Sequence, residues 1–427
     1  MPNKPQIPDN WLRTFIFIWT GQAFSMLGSM LVQFSLIWWL TQKTGSATIL
    51  ATASLVAFLP MVFLGPFAGA IVDRNDRKRI MILSDALVAL MTLGLVLIAW
   101  LGVLAPWHIY IAMFIRSLGQ TFHSPAMSAS TTLLVPEKHY ARVSGINQAL
   151  AGAMNIIAPP IGALLISSID LQWILSIDII TAMLAIAPLF LVTIPNPERP
   201  VSETQSNHPI HALFSDIKQG FLYIYHWKGL FIILLFAVTI NLLINPAFSL
   251  LPLLVTNHFK GTALNFSYLE SAVGMGFVVG GLGLGAWGGF KRKVLTSALG
   301  IGGMGIGSLL LGAAPGTLFP MAVAGVFILG VMNPLANGPL SALIQSRVEP
   351  AYQGRVMTVI NSVATGLTPF SLAVAGPLSD RFGIQTWFIL GGVSCLIIPI
   401  FMISIPSVVA LDAPPPQVSV EPVPDLP

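Results

Sequence analysis

Apolar stretches long enough to cross a lipid bilayer recur along almost the whole of this 427-residue chain. A hydrocarbon core about 30 Å thick requires roughly 20 apolar residues in each helix, and short polar loops separate stretches of that length here. The sequence therefore predicts an all-α polytopic membrane protein with twelve transmembrane helices. The predicted spans cover residues 14–41, 48–72, 79–104, 107–135, 141–168, 172–195, 229–256, 266–289, 294–313, 317–345, 354–379 and 385–410.

The composition agrees with a chain that is solvated by lipid. Hydrophobic residues make up 55% of the sequence and charged residues 8%, which leaves too little polar surface to coat a water-soluble particle. The net charge of +4 does not indicate a nucleic-acid partner, because the basic residues are spread through loops beside the spans. The lone Cys395 excludes an intramolecular disulfide.

Positive charge is concentrated in every second loop. Sixteen of the 20 Lys and Arg residues fall in segments on the same side as the N-terminus, three fall on the other side, and Arg116 lies within a span. Because basic residues resist crossing the membrane, this asymmetry predicts that both termini are cytoplasmic.

The chain divides into two related halves. A shift of 213 or 214 residues places Pro125 on Pro339 and Gly162 on Gly376, and a constant offset of this kind indicates an internal repeat. A polar interval separates six spans from six, so we expect two six-helix repeats of a transporter, related by an axis along the membrane normal. The expected units are an N-terminal bundle at 1–195, a cytoplasmic linker at 196–228, a C-terminal bundle at 229–410 and a disordered tail at 411–427.

The loop between the second and third spans reads Gly69-Ala-Ile-Val-Asp73-Arg74-Asn-Asp76-Arg77-Lys78-Arg79. It resembles the corresponding loop of the major facilitator superfamily, although Asp76 stands where that family usually has glycine. The resemblance implies the major facilitator fold and a cytoplasmic gate. In that gate Gly69 allows close helix approach and Asp73 sits against the positive N-terminal end of a helix in the other half. Arg74, Arg77 and Lys78 complete the network, and a plain positive-inside anchor is the alternative.

The fifth span carries a second partial signature. Gly145, Pro159 and Gly162 match a glycine-rich stretch of drug-proton antiporters in this superfamily, whereas Ala158 and Ala163 replace glycines. Small residues and a proline let a helix bend and pack closely, which is the role that the resemblance implies for these three residues. Ordinary helix packing explains them equally well.

Four charged residues lie within spans: Asp85, Arg116, Asp178 and Glu270. Each is unfavourable in hydrocarbon and should face a cavity or a partner. Counting 1.5 Å per residue places Arg116 and Asp178 at a common depth, roughly 10 to 14 Å below the outer surface, where they could pair. We expect proton coupling or substrate contact from Arg116, Asp178 and Glu270, with a structural ion pair as the alternative. We assign Asp85, which lies near the inner face, mainly to a structural ion pair, with the basic residues of the gate loop as its expected partners.

Uncharged polar residues also occur on spans that line the central cavity in this fold. The candidates are Gln22, Gln120, His123, Asn241 and Asn337. Each could equally form a hydrogen bond between helices, and that alternative stays open.

The sequence contains no motif for chemistry on a nucleotide. The P-loop pattern Gly-x-x-x-x-Gly-Lys-Ser/Thr does not occur, so we do not expect this chain to hydrolyse ATP. We predict that the protein is not an enzyme and has no cofactor and no metal site. Uphill transport would then draw on the proton gradient.

Over its whole length the chain resembles the bacterial macrolide-efflux branch of the major facilitator superfamily. The resemblance rests on strings such as Leu36-Ile-Trp-Trp-Leu-Thr-Gln-Lys-Thr-Gly-Ser46, Phe114-Ile-Arg-Ser117 and Phe122-His-Ser-Pro125. It implies a secondary transporter of the bacterial inner membrane that exports macrolide-like or other amphipathic compounds in exchange for protons; a monomer is the expected state, although the sequence does not determine it. The alternatives are a siderophore exporter of a related branch, a lipid flippase and a receptor built on a transporter scaffold.

Overall fold

The computed structural model describes residues 11–192 and 209–412, and within those ranges all regular structure is helical. The first half contains α1 (Trp11–Thr44), α2 (Ala47–Arg74), α3 (Arg77–Trp100), α4 (Pro106–Leu134), α5 (Tyr140–Ser168) and α6 (Leu171–Leu191). Next comes α7 (Pro209–His226), in the interval between the halves. The second half contains α8 (Lys228–Ser249), α9 (Leu251–Leu253), α10 (Ala263–Trp287), α11 (Lys293–Ala313), α12 (Phe319–Arg347), α13 (Pro350–Gly366), α14 (Thr368–Phe382), α15 (Gln385–Ser404) and α16 (Pro406–Val409).

Within the described ranges, 10 helices are long and apolar enough to cross a membrane. The prediction of an all-α, multi-span protein is confirmed, but two of the twelve predicted spans do not meet this criterion. The polar residues of α4, including Arg116 and His123, lower its mean hydropathy. The predicted span 354–379 is interrupted between α13 and α14. Pro369 in the first turn of α14 has no backbone N–H with which to continue the preceding helix.

Each half is a bundle held by a few dominant helix pairs. In the first half α1 packs on α6, and α4 packs on both α2 and α3; in the second half α12 packs on α10 and α11, and α11 also packs on α15. Small residues permit the closest of these contacts: a Cβ atom added to Gly280 would lie 2.0 Å from the carbonyl oxygen of Val331. The two halves meet chiefly through α2 against α14 and α5 against α10.

The interval that we predicted as a linker contains a helix seated on the second half. The Tyr223 ring in α7 stacks on the Tyr352 ring in α13, with centroids 5.0 Å apart. A Cβ atom added to Gly220 would lie 2.6 Å from the carbonyl oxygen of Arg355, so α7 and α13 approach closely. Residues 193–195 of the predicted N-terminal bundle and residues 196–208 of the predicted linker lie outside the described residues.

The second bundle extends past the predicted start of the C-terminal tail at residue 411. Leu411 is buried, and Asp412 Oδ1 accepts a hydrogen bond from the backbone amide of Lys293 at 2.8 Å. The Arg347 guanidinium also donates to the Asp412 carbonyl oxygen at 2.7 Å. Because a carboxylate at a helix N-terminus is favoured by the helix dipole, Asp412 stabilises the first turn of α11. The rest of the predicted tail, 413–427, lies outside the described residues.

Candidate functional site

The interface between α2 and α14 is tied together at one end by Asp380, in the last turn of α14. Its carboxylate accepts hydrogen bonds from the backbone amides of Ala47 at 2.7 Å and Thr48 at 3.1 Å. The hydroxyls of Thr48 and Ser46 donate to it as well, at 2.6 and 3.3 Å. Asp380 therefore caps the N-terminus of a helix that belongs to the other half, where the helix dipole favours a negative charge.

The hydrogen bonds of Asp380 also change its acidity. Partial burial raises the pKa of the carboxyl, but the hydrogen bonds from the Thr48 hydroxyl, the Ala47 and Thr48 amides and the Ser46 hydroxyl lower it by more. The net pKa lies below the ordinary value for aspartate. The ionised form, which makes the cap, is thus the favoured form.

Close backbone packing accompanies the Asp380 contact. A Cβ atom added to Gly376, one turn before Asp380, would lie 2.8 Å from Thr48 Cα and 3.0 Å from Ala51 Cβ. Further along α2 the packing is looser, since the nearest neighbour of a Cβ atom added to Gly366, at the end of α13, is Val62 Cγ1 at 3.9 Å. We call the tied end of this interface the Asp380 end.

The gate loop lies at the opposite end of α2, which we call the Asp73 end. The Asp73 side chain is 70% exposed and its Oδ1 lies 3.4 Å from Arg77, within the same loop. Arg74 is exposed, and a Cβ atom added to Gly69 would meet no atom within 4 Å. In this conformation the loop does not make the contact with the other half that the resemblance implies, and its role as a gate stays a prediction.

The other members of the gate loop organise the first half itself. The Arg77 guanidinium donates to the Ala129 carbonyl near the end of α4 at 3.1 Å, and Lys78 Nζ donates to the Val192 carbonyl at the end of α6 at 2.8 Å. Cations are favoured at these helix ends, where carbonyl groups lack partners in the helix. Asp76, which departs from the family pattern, caps α3 by accepting a hydrogen bond from the Arg79 amide at 3.1 Å.

A cavity of about 390 Å³ lies between the halves, part of the way along the α2–α14 interface. Its walls combine aromatic and methionine side chains from α2 with a polar row from the second half. In that row the Asn245 amide donates to Asn241 Oδ1 at 3.1 Å and to the Thr368 hydroxyl at 3.3 Å. The lining residues are Phe58, Met61, Asn241, Asn245, Phe248, Ser249 and Thr368. Apolar walls with a few aligned polar groups suit an amphipathic ligand.

Two other polar candidates are exposed within their helices. Gln120 in α4 and Asn337 in α12 both present accessible side chains, and the Asn337 amide donates to the Asn333 carbonyl at 3.1 Å. Because an exposed amide in a membrane span is unfavourable against lipid, each is expected to face water between the halves.

Arg116 and Asp178 meet in the core of the first half. Arg116 Nη1 lies 2.5 Å from Asp178 Oδ2, and both side chains are almost fully buried. The hydroxyls of Thr92 and Ser29 donate to the Asp178 carboxylate at 3.0 and 3.1 Å, and Arg116 Nη2 donates to the Ser29 carbonyl at 3.1 Å. Four helices, α1, α3, α4 and α6, are joined by this ion pair and its hydrogen bonds.

Asp85 does not join the gate loop, contrary to the expectation from its depth. Its Oδ2 accepts a hydrogen bond from the Gln22 amide at 3.2 Å, and its Oδ1 lies 3.5 Å from His123 Nε2. The count along the helix placed Asp85 near the inner face but could not give the rotation of α3, which turns this carboxylate into the bundle. Gln22 and His123, which we predicted as cavity residues, instead form this buried cluster.

Glu270 lies in the first third of α10 and is half-buried. In the part of the chain that the structure describes, no hydrogen bond or salt bridge to its carboxylate is found. Its neighbour Ser271 donates to the Ile156 carbonyl of α5 at 2.8 Å, which places this part of α10 at the interface between the halves. An ionisable side chain without a protein partner in a membrane span is a candidate for a functional role, so the prediction for Glu270 stays open.

The glycine-rich stretch of α5 serves close packing. A Cβ atom added to Gly162 would lie 2.9 Å from Phe34 Cδ1, whereas one added to Gly145 would meet nothing within 4 Å. Pro159 is buried in the helix. The Phe34 ring in turn stacks on Phe266 of the second half, with centroids 5.1 Å apart, so this packing extends across the interface.

Sequence reasoning missed Asp380 and the Asp85–His123 pair. The signal for Asp380 is an acidic residue in the last turn of one span combined with a Ser-Ala-Thr start at residues 46–48 of another. No group of three His, Cys, Asp or Glu side chains that could hold a metal ion is found among residues 11–192 and 209–412.

Comparison with known proteins identifies the family. The model of the Major Facilitator Superfamily matches residues 18–370. The chain belongs to the major facilitator superfamily. Macrolide efflux protein A of Streptococcus pyogenes is 35% identical over 392 residues, which cover 92% of this chain and 96% of that relative. The multidrug efflux pump Tap of Mycobacterium tuberculosis (strain ATCC 25618 / H37Rv) is 26% identical over 391 residues, which cover 88% of this chain and 90% of the pump.

Solved structures with a similar fold include transporters of different substrates. A bacterial homologue of the iron transporter ferroportin in an inward-facing state has a TM-score of 0.68 at 12% identity, covering 92% of this chain and 98% of that chain. A D-xylose-proton symporter has a TM-score of 0.65 at 14% identity, covering 91% of this chain and 97% of that chain. At such identities the likeness shows the fold.

Proposed function

We propose that this protein is a secondary active efflux transporter that exports macrolide-like or other amphipathic compounds by alternating access, in exchange for protons. The observation that carries the mechanism is the difference between the two ends of the α2–α14 interface. The Asp380 end is tied across the halves, while Asp73 at the other end is 70% exposed. The proposed macrolide class rests on the similarity to Macrolide efflux protein A of Streptococcus pyogenes, which is 35% identical.

The charge distribution supports an orientation for this asymmetry. With both termini cytoplasmic in a bacterial inner membrane, the Asp73 end faces the cytoplasm and the Asp380 end faces outward. The conformation described above is then inward-facing. The cavity beside Asn241 and Asn245 is the proposed place where an amphipathic compound binds before export.

The two ends of the interface provide a reciprocal device for alternating access. α2 and the α13–α14 pair run antiparallel, because Asp380 at the end of α14 meets the start of α2 while Gly366 at the end of α13 faces Val62 further along α2. Asp380 at the end of α14 caps the start of α2 in this state. In the opposite state Asp73 at the end of α2 would cap the start of α13, which begins at Pro350. Each carboxylate stabilises one of the two states.

The charged residues within the helices have proposed roles that differ from those of Asp73 and Asp380. Arg116 is already neutralised by Asp178 and donates to Ser29, which favours the structural interpretation of that pair and argues against Arg116 as the anchor of an anionic siderophore. Glu270 has no protein partner in the described residues and stays a candidate for proton or substrate contact.

Transport by purified protein tests this proposal. In proteoliposomes with the Asp73 end outward, a pH gradient that is acid inside should drive accumulation of radiolabelled erythromycin, a macrolide, and a protonophore should abolish it. No gradient-dependent accumulation would contradict proton-coupled macrolide export. A panel of macrolides and iron-starvation growth in a deletion strain separates the macrolide proposal from the siderophore alternative.

A further inference from the structure

Two polar layers lie one above the other in the core of the first half. The Arg116 layer consists of Arg116, Asp178, Ser29 and Thr92, and the His123 layer consists of His123, Asp85 and Gln22. Three helices contribute to both layers through residues seven positions apart: Gln22 and Ser29 in α1, Asp85 and Thr92 in α3, and His123 and Arg116 in α4. Seven residues are about two helical turns, so the layers share a face and lie roughly 10 Å apart.

The Arg116 layer is electrically complete. One guanidinium faces one carboxylate, and both oxygens of Asp178 receive hydroxyl hydrogen bonds. A carboxylate that a permanent cation neutralises gains little from binding a proton, because the guanidinium would then be left buried without its partner. This layer is suited to hold four helices together.

The His123 layer lacks a permanent cation. Among the residues that the structure describes, neither Lys nor Arg pairs with Asp85, and its partners are the neutral Gln22 amide and the His123 imidazole. Along α3 and α4 the neighbouring charged groups are Arg116, paired with Asp178, on one side and Arg77, Lys78 and Arg79 on the other. Each has a partner of its own: Arg77 donates to the Ala129 carbonyl, Lys78 donates to the Val192 carbonyl, and Arg79 lies 3.7 Å from Asp76. Between Ala47 and Val72, α2 brings no charged residue to α4, and α6 brings only Asp178.

The Nε2 atom of His123 is placed where one added proton could bridge it to Asp85. Its Nε2 is buried, lies 3.5 Å from Asp85 Oδ1 and makes no well-aligned hydrogen bond among the described residues. With a neutral imidazole the layer carries one negative charge, and with one added proton it becomes a neutral imidazolium–carboxylate pair. Imidazole is the side chain that exchanges a proton most readily near neutral pH. The Asp85 and His123 side chains remain 12% and 13% exposed, which gives water a route to them.

We propose that Asp85 and His123 form the site that binds the exchanged proton during transport. This inference rests on the proposed proton-coupled export and assigns a different site from Asp178 and Glu270. One proton passes from water at the outer face to the pair in the outward-facing state, where Nε2–H donates to the Asp85 carboxylate. The same proton leaves to water at the Asp73 end in the inward-facing state. No covalent bond other than N–H or O–H forms or breaks.

Two measurements on reconstituted protein test the site. Asp85→Asn and His123→Gln should each lower gradient-driven erythromycin accumulation at least tenfold while leaving energy-independent counterflow of erythromycin within twofold of wild type. In weakly buffered detergent solution, erythromycin should release protons from the wild type and not from either variant. Ser128→Ala, at another exposed position of α4 and outside both polar layers, is the matched control and should change neither readout.

Retention of gradient-driven accumulation and of proton release by both variants would overturn the assignment. If the single variants fail to fold, the double variant Asp85→His with His123→Asp, which swaps the two residues and keeps the pair, tests the assignment instead. An exchanged protein that folds and drives counterflow but not gradient-driven accumulation also overturns it, and recovery of both supports it. The wild-type protein separates the proton-site proposal from the proposed function. If the wild type shows no gradient-driven accumulation, the proposed function itself is contradicted.

Discussion

Asp380 accepts hydrogen bonds from both the backbone amide and the hydroxyl of Thr48, at 3.1 and 2.6 Å, and so joins the end of a helix in one half to the start of a helix in the other. Asp73, at the far end of the same α2 helix, has 70% of its side chain exposed. At one end of this interface the Asp380 carboxylate is hydrogen-bonded across the two halves, whereas at the other end the Asp73 carboxylate makes no such contact. Separate substitutions can test the two ends.

Removing the charge of Asp380 should loosen the Asp380 end. Hydrogen bonds to a charged group are worth more than neutral ones, but screening at this exposed site leaves a contribution of about 1 kcal/mol, or roughly a fivefold shift between states. We expect Asp380→Asn to raise labelling of a cysteine at Phe58 by an impermeant thiol reagent added from outside. Arg381→Gln, at the neighbouring exposed residue, is the control, and equal labelling in both variants would contradict the role of Asp380.

The Asp380 contact should persist at moderately acidic pH. The pKa of Asp380 is lowered, so its contribution is fully present above the ordinary carboxyl pKa of about 4 and is lost only as the pH falls through the lower value of the tied state. Spin labels at Gln42 and Phe382, both exposed, should report an unchanged distance from about pH 8 to about pH 5. A distance that lengthens in that window in the wild type and not in Asp380→Asn would contradict this prediction.

The Arg116–Asp178 pair should govern stability. Leaving either charge buried without its partner costs about 3 to 5 kcal/mol, so Arg116→Met and Asp178→Asn should each markedly lower the thermal unfolding temperature in detergent. The double variant Arg116→Met with Asp178→Leu should lose less than the sum of the two single losses. If Asp178→Asn is as stable as the wild type yet loses only gradient-driven export, Asp178 acts in coupling and the structural interpretation is wrong.

Asp73→Asn should slow transport more than it weakens substrate binding. The charge is proposed to stabilise the state in which the Asp73 end closes, and it does not contact the cavity residues. Erythromycin binding should stay within about twofold, whereas the transport rate should fall by roughly fivefold for a loss near 1 kcal/mol. Lys291→Gln, an exposed residue of the equivalent loop in the second half, should change neither quantity. Loss of binding with intact cycling would contradict the gate.

The fold followed from the sequence because its main determinant, apolar length, is local. The interruption between α13 and α14 was missed because apolar residues continue on both sides of it, and Pro369, the local signal for a helix break, was not given that weight. Asp412 was assigned to the tail because its partner, the Lys293 amide, is distant in sequence.

Contacts between charged residues in the core were predictable where membrane depth alone determined them, but not where the rotation of a helix about its axis also mattered. A count of residues brought Arg116 and Asp178 to a common depth, and the structure pairs them. The same count could not give the rotation that turns Asp85 toward His123. Asp380 was missed for a third reason, because capping across the two halves requires the relative position of α14 and α2.

Distances at both ends of the interface test alternating access most directly. One pair of spin labels, at Gln42 and Phe382, would report the Asp380 end, and another, at Arg79 and Thr358, would report the Asp73 end, with Cys395 replaced by Ala; all four label sites are exposed. Asp380→Asn should lengthen the first distance and shorten the second, and Asp73→Asn should favour the opposite change. If both distances lengthened or shortened together in either variant, the two ends would not alternate and the account would be contradicted.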